Sequence, residues 1–254
     1  MIEICALASG SNGNCYYVGN QHDAILVDAG ISTRQLMLRF KETGLNPEKV
    51  KAIFISHEHA DHARGMQVLS KRLGVNVYMT SRTYYALPKP FRPDLVKFFQ
   101  PAVAVEAGSF TIYPVLKKHD AAEPCSFRIV HNGKSVGVFT DIGDPCRDVK
   151  SAVEQCQALF LETNYDEKML WEGSYPWHLK KRVSSTVGHL SNVQALDLVT
   201  NHAHPELECI FLSHLSGENN TPATAMSVFK PIAERLNVRL TDRQAAGEVY
   251  RLET

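Results

Sequence analysis

Residues 51–56 (Lys-Ala-Ile-Phe-Ile-Ser) read as a buried β-strand that runs directly into His57-Glu58-His59-Ala60-Asp61-His62. Nothing else in the chain constrains the fold as tightly, because several side chains suited to metal ligation must leave one strand end together. In extended backbone, side chains at i, i+2 and i+4 share a face, so His57, His59 and Asp61 are expected to project together. A helix would splay them. Asp61-His62 then reads as the start of a helix continuing to Leu73, with Asp61 as its N-cap and His62 turned to the same cleft. Imidazole mixed with carboxylate favours Zn, Mn or Fe, whereas Mg and Ca prefer all-oxygen sets. The motif therefore points to a metal-dependent hydrolase, with two divalent ions expected: Zn or Mn, and Fe as a further option.

With 254 residues, 44% of them hydrophobic, and no linker or low-complexity tract, the chain is expected to form one domain over 1–254. Its 27 basic and 27 acidic residues give a formal charge of zero, which excludes a global field for polyanions and leaves only local basic patches. The N-terminus has neither a basic n-region nor an apolar h-region, and no run approaches the roughly 18 apolar residues of a membrane span. A soluble, unprocessed, cytoplasmic protein with no membrane partner is expected. Six cysteines without a C-x-x-C pair fit reduced thiols. Cys125 and Cys146, although near candidate site residues, read best as small buried hydrophobes.

Short apolar runs at 2–7, 15–18 and 24–27, separated by Gly/Ser/Asn turns, read as strands. Ser32-Thr33 caps a helix running to Thr43, with Gly44 as its stop. Strands follow at 75–79, 96–99 and 109–116. The second half repeats the style, with strands at 127–131, 136–139, 158–161 and 209–212, helices at 147–155, 192–202 and 222–236, and terminal strands. Two strand-rich halves, each bearing helices, predict an α/β (α+β) fold of two packed sheets with helices on the outer faces.

A metal site anchored at one strand end needs ligands from neighbouring strand ends. Three apolar runs supply them, ending at His119, Asp141 and His214. His57, His59 and His119 are expected to hold one metal, Asp61, His62 and His214 the other, and Asp141 to bridge. Two ions so bridged would share a water acidic enough to serve as a hydroxide nucleophile near neutral pH.

These motifs, in this order and over nearly the whole chain, resemble the metallo-β-lactamase fold superfamily. Within it, Ala8-Ser9-Gly10-Ser11-Asn12-Gly13-Asn14-Cys15, Asp28-Ala29-Gly30, His119-Asp120-Ala121, Leu161-Glu162-Thr163-Asn164-Tyr165-Asp166, Gly188-His189-Leu190-Ser191-Asn192 and Leu212-Ser213-His214-Leu215-Ser216 with Asn219-Asn220 resemble the YycJ/WalJ group. That resemblance implies an αββα sandwich of two mixed sheets and a 5′-to-3′ exonuclease acting on double-stranded DNA, related to tRNase Z and to phosphodiesterases. It implies a nucleic-acid substrate, DNA rather than RNA.

The metal ligands alone do not choose among lactams, thioesters and phosphodiesters. Glu162 and His189 resemble the glutamate and histidine that cooperate in proton transfer in tRNase Z. A leaving alkoxide needs a proton, so His189 is expected as general acid and Glu162 as its orienter, with Asp61 completing the catalytic set. Asp28 resembles the superfamily's buried aspartate that orients ligand histidines. Ser9, Ser11 and Asn12, and across the cleft Ser216, Asn219 and Asn220, are expected as neutral phosphate contacts. Lys117-Lys118 and Lys180-Lys181-Arg182 could line a groove for a phosphate backbone, although a solvated face explains such clusters as well. Tyr175-Pro176-Trp177-His178 offers either a base-stacking surface or the anchor of a hydrophobic lid. The short connection from Asp141 to Glu162 leaves no room for the inserted domain of β-CASP enzymes, and the long arm of tRNase Z is missing. The rival readings are a phosphodiesterase for small nucleotides or cyclic phosphates, a thioester or lactone hydrolase, and a metal-stabilised nucleic-acid-binding module.

Overall fold

Strand β1 (Ile2–Ala8) turns Ile2, Ile4 and Ala6 toward one core and Cys5 and Leu7 toward another, so both of its faces are buried. That double burial is what a sheet covered on both sides requires. The structure, a computed structural model, describes residues 1–253. The first sheet continues with β2 (Cys15–Gly19), β3 (Ala24–Val27), β4 (Val50–Phe54), β5 (Asn76–Met79) and β6 (Val96–Phe98). The second contains β7 (Val105–Ala107), β8 (Phe110–Leu116), β9 (Cys125–His131), β10 (Lys134–Phe139), β11 (Ala158–Glu162), β12 (Cys209–Ser213) and β13 (Asn237–Leu240). β14 (Tyr250–Leu252) returns to pair with β1.

Each sheet is antiparallel on one side and parallel on the other. β1, β2 and β3 alternate in direction, then β3 through β6 run parallel. Likewise β7 through β10 alternate, and β10 through β13 run parallel. The carboxyl ends of β3, β4, β10, β11 and β12 consequently open at one edge of the sandwich, where loops are free to carry chemistry.

The sheets meet through Phe54 against Phe127 (5.6 Å, edge-on) and Tyr16 against Phe160 (4.9 Å). On the outer face of the first sheet lie α1 (Thr33–Thr43) and α3 (Met66–Leu73), packed through Leu36, Phe40, Met66 and Leu69. α5 (Arg147–Val153), α8 (Asn192–His202) and α9 (Pro222–Phe229) cover the second through Val149, Leu198 and Phe229. This is the expected αββα sandwich of mixed sheets. Among the described residues no helix is long and apolar enough to cross a membrane.

The helix after the metal motif differs from expectation. It begins as a short turn, α2 (Ala60–Ala63), whose N-cap is His59 rather than Asp61, and it breaks before α3. Gly65 causes the break, because its N–H bonds Ala29 O at 2.7 Å and a Cβ there would meet Ile31 O at 2.0 Å. α9 stops at Phe229, short of the expected 236. Pro231 lacks the N–H that would extend the ladder, and a 3₁₀ turn (Lys230–Ile232) takes over. Three short helices lack a long apolar period and were not expected: α4 (Ser81–Ala86), α6 (Glu167–Glu172) and α7 (Trp177–Val183).

Candidate metal centre and active site

β4 ends two residues before the motif, and its loop carries His57 and His59 into the cleft while Asp61 and His62 ride on α2. Three further strand ends hold their site residues in left-handed backbone: Asp28 after β3 (φ 63°), Asp141 after β10 (φ 54°) and His214 after β12 (φ 56°). Such a φ costs an ordinary residue roughly 1–2 kcal/mol. It turns each side chain sharply off its strand toward the edge, and observed strain of this kind concentrates at functional sites.

The expected ligands come together. One atom each from His57, His59 and His119 lie within 4.8 Å of one another, and so do those of Asp61, His62 and His214. Asp141 joins His57 and His62 in one such group and Glu162, His189 and His214 in another, so it stands between the two sides.

Each buried imidazole is held from behind. His62 Nδ1–H donates to Asp28 Oδ2 at 2.7 Å, and His57 Nδ1–H to Ser56 Oγ at 2.9 Å. Ser56 in turn donates its hydroxyl and its backbone N–H to Asp28. His119 Nδ1–H donates to Gly188 O at 3.0 Å, and His214 Nδ1–H to Glu162 Oε1 at 2.9 Å. With metal bound, these contacts would fix the tautomer and leave the Nε2 lone pairs facing the cleft.

What those lone pairs face decides whether metal fits. His57 Nε2, His214 Nε2 and Asp141 Oδ2 are buried and have no hydrogen-bond partner. Asp141 Oδ2 lies 3.1 Å from His62 Nε2 without hydrogen-bond geometry. Orphaned acceptors converging in a dry site suit a cation, and the mixed nitrogen and oxygen set suits Zn or Mn.

The electrostatics divide the histidines into two kinds. Burial pushes His57 well below the usual imidazole range and His119 down to about 4, so both are neutral and ready to ligate. Burial also opposes charge on His62 and His214. Asp141 leads the carboxylates that outweigh it, lifting His62 well above its ordinary value and His214 to about 10, so without a metal both rings carry a proton that a bound ion would displace. Burial disfavours ionisation of Asp141 and Asp61, yet the histidines around each hold both carboxyls low. The cluster is a concentration of negative charge that seeks a counter-ion.

Glu162, fully buried at the end of β11, joins the two halves of the site. Its Oε1 accepts from His189 Nδ1–H at 2.8 Å as well as from His214, and its Oε2 accepts the N–H groups of Ile142 and Leu190. Burial opposes its charge, but His189 and His214 dominate and hold the carboxyl at about 2.

A cleft of about 230 Å³ opens over this cluster, lined in part by Ser11, Tyr175, Arg182, His189, Ser216 and Asn219. A larger cavity of about 670 Å³, around Asn20, Lys49 and His131, contains none of the candidate ligands. Of the expected phosphate contacts, Ser11, Ser216 and Asn219 line the cleft, and both side-chain polar atoms of Asn219 are buried without a partner. The others face elsewhere. Ser9 is buried, its hydroxyl within 2.9 Å of Tyr16 Oη and accepting the His214 N–H. Asn220 holds Thr163 O and Asn192, and Asn12 binds Arg243 O. Lys117 also departs from expectation: it is buried and donates to Thr140 O, so it lines no groove.

Sequence reasoning missed Ser56, Asn14 and Asn164, which sit against ligands. Asn14 Nδ2 lies 3.1 Å from His62 Nε2, and Asn164 Nδ2 donates to His214 O. For Ser56 and Asn164 the available signal was adjacency to a strand end that bears a site residue; Asn14, just before β2, offered only its turn. Arg243, which reaches Ser11 Oγ at 3.2 Å from the far end of the chain, carried no local signal at all.

Residues 8–140 match the model of the Metallo-beta-lactamase superfamily. The protein belongs to that superfamily. Over 238 residues it is 34% identical to Exodeoxyribonuclease YycJ of Bacillus anthracis, an alignment covering 92% of this chain and 90% of that one. It is 32% identical to Exodeoxyribonuclease WalJ of Streptococcus pneumoniae, covering 90% and 87%. The metallo-beta-lactamase fold protein YhfI of Bacillus subtilis superposes with a TM-score of 0.72 over 98% of this chain and 100% of that one, at 17% identity, a likeness of fold alone. As a member of this superfamily with the site just described, the protein is a metal-dependent hydrolase.

Proposed function

We propose that the protein is a metal-dependent phosphodiesterase, acting as a 5′-to-3′ exonuclease on double-stranded DNA. His57, His59 and His119 would hold one divalent ion, Asp61, His62 and His214 a second, and Asp141 would stand between them. Such ions, when bound, polarise a phosphoryl oxygen and make water acidic enough to attack.

The observation that carries the reading is the Glu162–His189 pair. With His189 Nδ1–H engaged by a buried carboxylate at 2.8 Å, its Nε2 is the atom left for proton exchange at the cleft it lines. An alkoxide leaving a phosphodiester needs that proton, whereas a thiolate leaving a thioester does not. Glu162 keeps the ring oriented, with Nδ1 engaged and Nε2 left free to pass a proton. Ser11, Ser216 and Asn219 would meet the phosphate oxygens. Preference for DNA is supported by the relatives named exodeoxyribonucleases, whose similarity spans about nine-tenths of the chain.

The test is hydrolysis of 5′-phosphorylated, end-labelled duplex DNA by protein reconstituted with Mn or Zn, beside bis-p-nitrophenyl phosphate and a thioester. Stepwise loss from the 5′ end, abolished in His59→Ala, is the expected result. Intact DNA with turnover of the small phosphodiester would move the assignment to a nucleotide phosphodiesterase. Activity on the thioester alone would overturn it.

A further inference from the structure

Both tryptophans of this chain, Trp171 and Trp177, are exposed, at 43% and 63%. A tryptophan left in water forgoes a large hydrophobic gain, so an exposed pair in contact is informative. Trp171 lies in the last turn of α6 and Trp177 opens α7, with ring centroids 5.4 Å apart, and Lys181, one helical turn on, places Nζ 5.2 Å from the Trp177 ring. Lys180 donates to Trp171 O across the same junction, which fixes the pair. Between residues 167 and 183 four cations stand against two carboxylates, in a chain whose net charge is zero.

The position of this surface matters. Leu179, Arg182 and Val183 of α7 line the metal-cluster cleft. At 100° per residue, Trp177 and Lys181 lie on the opposite side of that helix. The aromatic pair therefore sits roughly one helix diameter, ~10 Å, from the cleft wall, too far for the nucleotide being cleaved and within reach of nucleotides further along the strand.

We propose that Trp171, Trp177 and Lys181 form a binding platform for the polymer beyond the reacting nucleotide: unpaired nucleobases stack on the indoles and Lys181 meets the phosphate backbone. The inference rests on the nucleic-acid reading of the cleft and extends it to a second contact. Every base has a π-face, so the platform is tolerant of sequence, and its lysine makes binding fall with salt. The indole pair and the cationic fringe together match single-stranded nucleic acid. A protein partner would match the apolar surface but not the charge.

Because no other tryptophan exists in the chain, tryptophan fluorescence excited to the red of tyrosine absorption reports on this surface alone. The experiment is titration of the metal-free protein with a single-stranded oligodeoxynucleotide at several salt concentrations, followed by steady-state hydrolysis of overhanging duplex by the metal-loaded protein. The expected result is saturable quenching, a salt slope shallower by about one ion in Lys181→Ala, and a KM about tenfold higher in Trp177→Ala with kcat held, the size of one lost base stack. Trp177→Phe should restore most of the KM, which a merely structural role would not predict, and the effect should be larger on long strands than on a dinucleotide. No change in fluorescence on DNA addition, or a Trp177→Ala enzyme with unaltered KM on DNA, overturns the platform while leaving the exonuclease reading intact. Quenching by DNA in a protein that does not cleave it would retain the platform and remove that reading.

Discussion

Glu162 Oε1 accepts from two histidines with different proposed duties, His214 beside the metal cluster and His189 at the cleft. Because both contacts pass through one carboxylate, His189 must be separated from the ligands by experiment. His189→Ala should leave the bound metal stoichiometry unchanged by elemental analysis while kcat falls by roughly 10²- to 10⁴-fold, the range for a lost general acid. Loss of metal with the substitution would make His189 a ligand instead. Asp28 makes the converse case, because it touches no substrate yet supports His62 directly and His57 through Ser56. Asp28→Asn should weaken metal affinity by about 10- to 100-fold, measured by competition with a chelating dye, with the fold intact by circular dichroism. The candidate ligands were legible in the sequence because chemistry that needs a metal permits few residue types, and these sit at strand ends. Ser56, Asn14 and Asn164 were not, since a serine or asparagine beside a ligand looks like any turn residue until the backbone has placed it.

Elements with strong local signals were legible for the same kind of reason. Ser32 and Ser191 each close a full capping box with a glutamine three residues on, and α1 and α8 begin where those boxes predict. α4 and α6 carry only a single side-chain N-cap each, Thr80 and Asp166, and α7 none, so tertiary packing decides them. The α2–α3 break shows how a tertiary contact overrides a continuous helical pattern. Gly65 must pass against the carbonyls of Ala29 and Ile31, the loop that follows Asp28. Gly65→Ala should accordingly cost about 3 kcal/mol, near the upper end for overpacking, because the obstructing atoms are backbone and have little room to yield. Denaturant unfolding checks the magnitude. The same variant should also lose metal affinity, since α2 carries Asp61 and His62.

At the scale of the molecule, the two sheets tie stability to the site that joins their edges. Buried polar atoms without partners, and the Asp141 carboxylate set against the His62 ring, make that edge the part of the fold most dependent on a bound cation. Chelation should lower the melting temperature by about 5–10 °C, the effect of a ligand held near a hundredfold its dissociation constant, and added Zn or Mn should restore it. A second dependence is spread through the core. Cys5, Cys125, Cys156 and Cys209 are free, buried thiols, and burial pushes each up to about 12 from an ordinary value of 9.0. Each folded-state pKa lies above its unfolded value, so the unfolded chain loses protons first as pH rises. The stability these thiols contribute is fully present below pH 9 and is lost progressively as the pH climbs toward 12. The urea midpoint should therefore fall across that window. Tyr17, pushed well above its ordinary value mainly by its burial, adds to the fall, so the wild-type curve alone does not isolate the thiols. Cys156→Ala does: removing one buried thiol should make the decline shallower while leaving the midpoint near neutrality lower by the cost of the small cavity. A decline of unchanged steepness in that variant would mean that Cys156 does not titrate differently on unfolding, and that its burial has no consequence for alkaline stability.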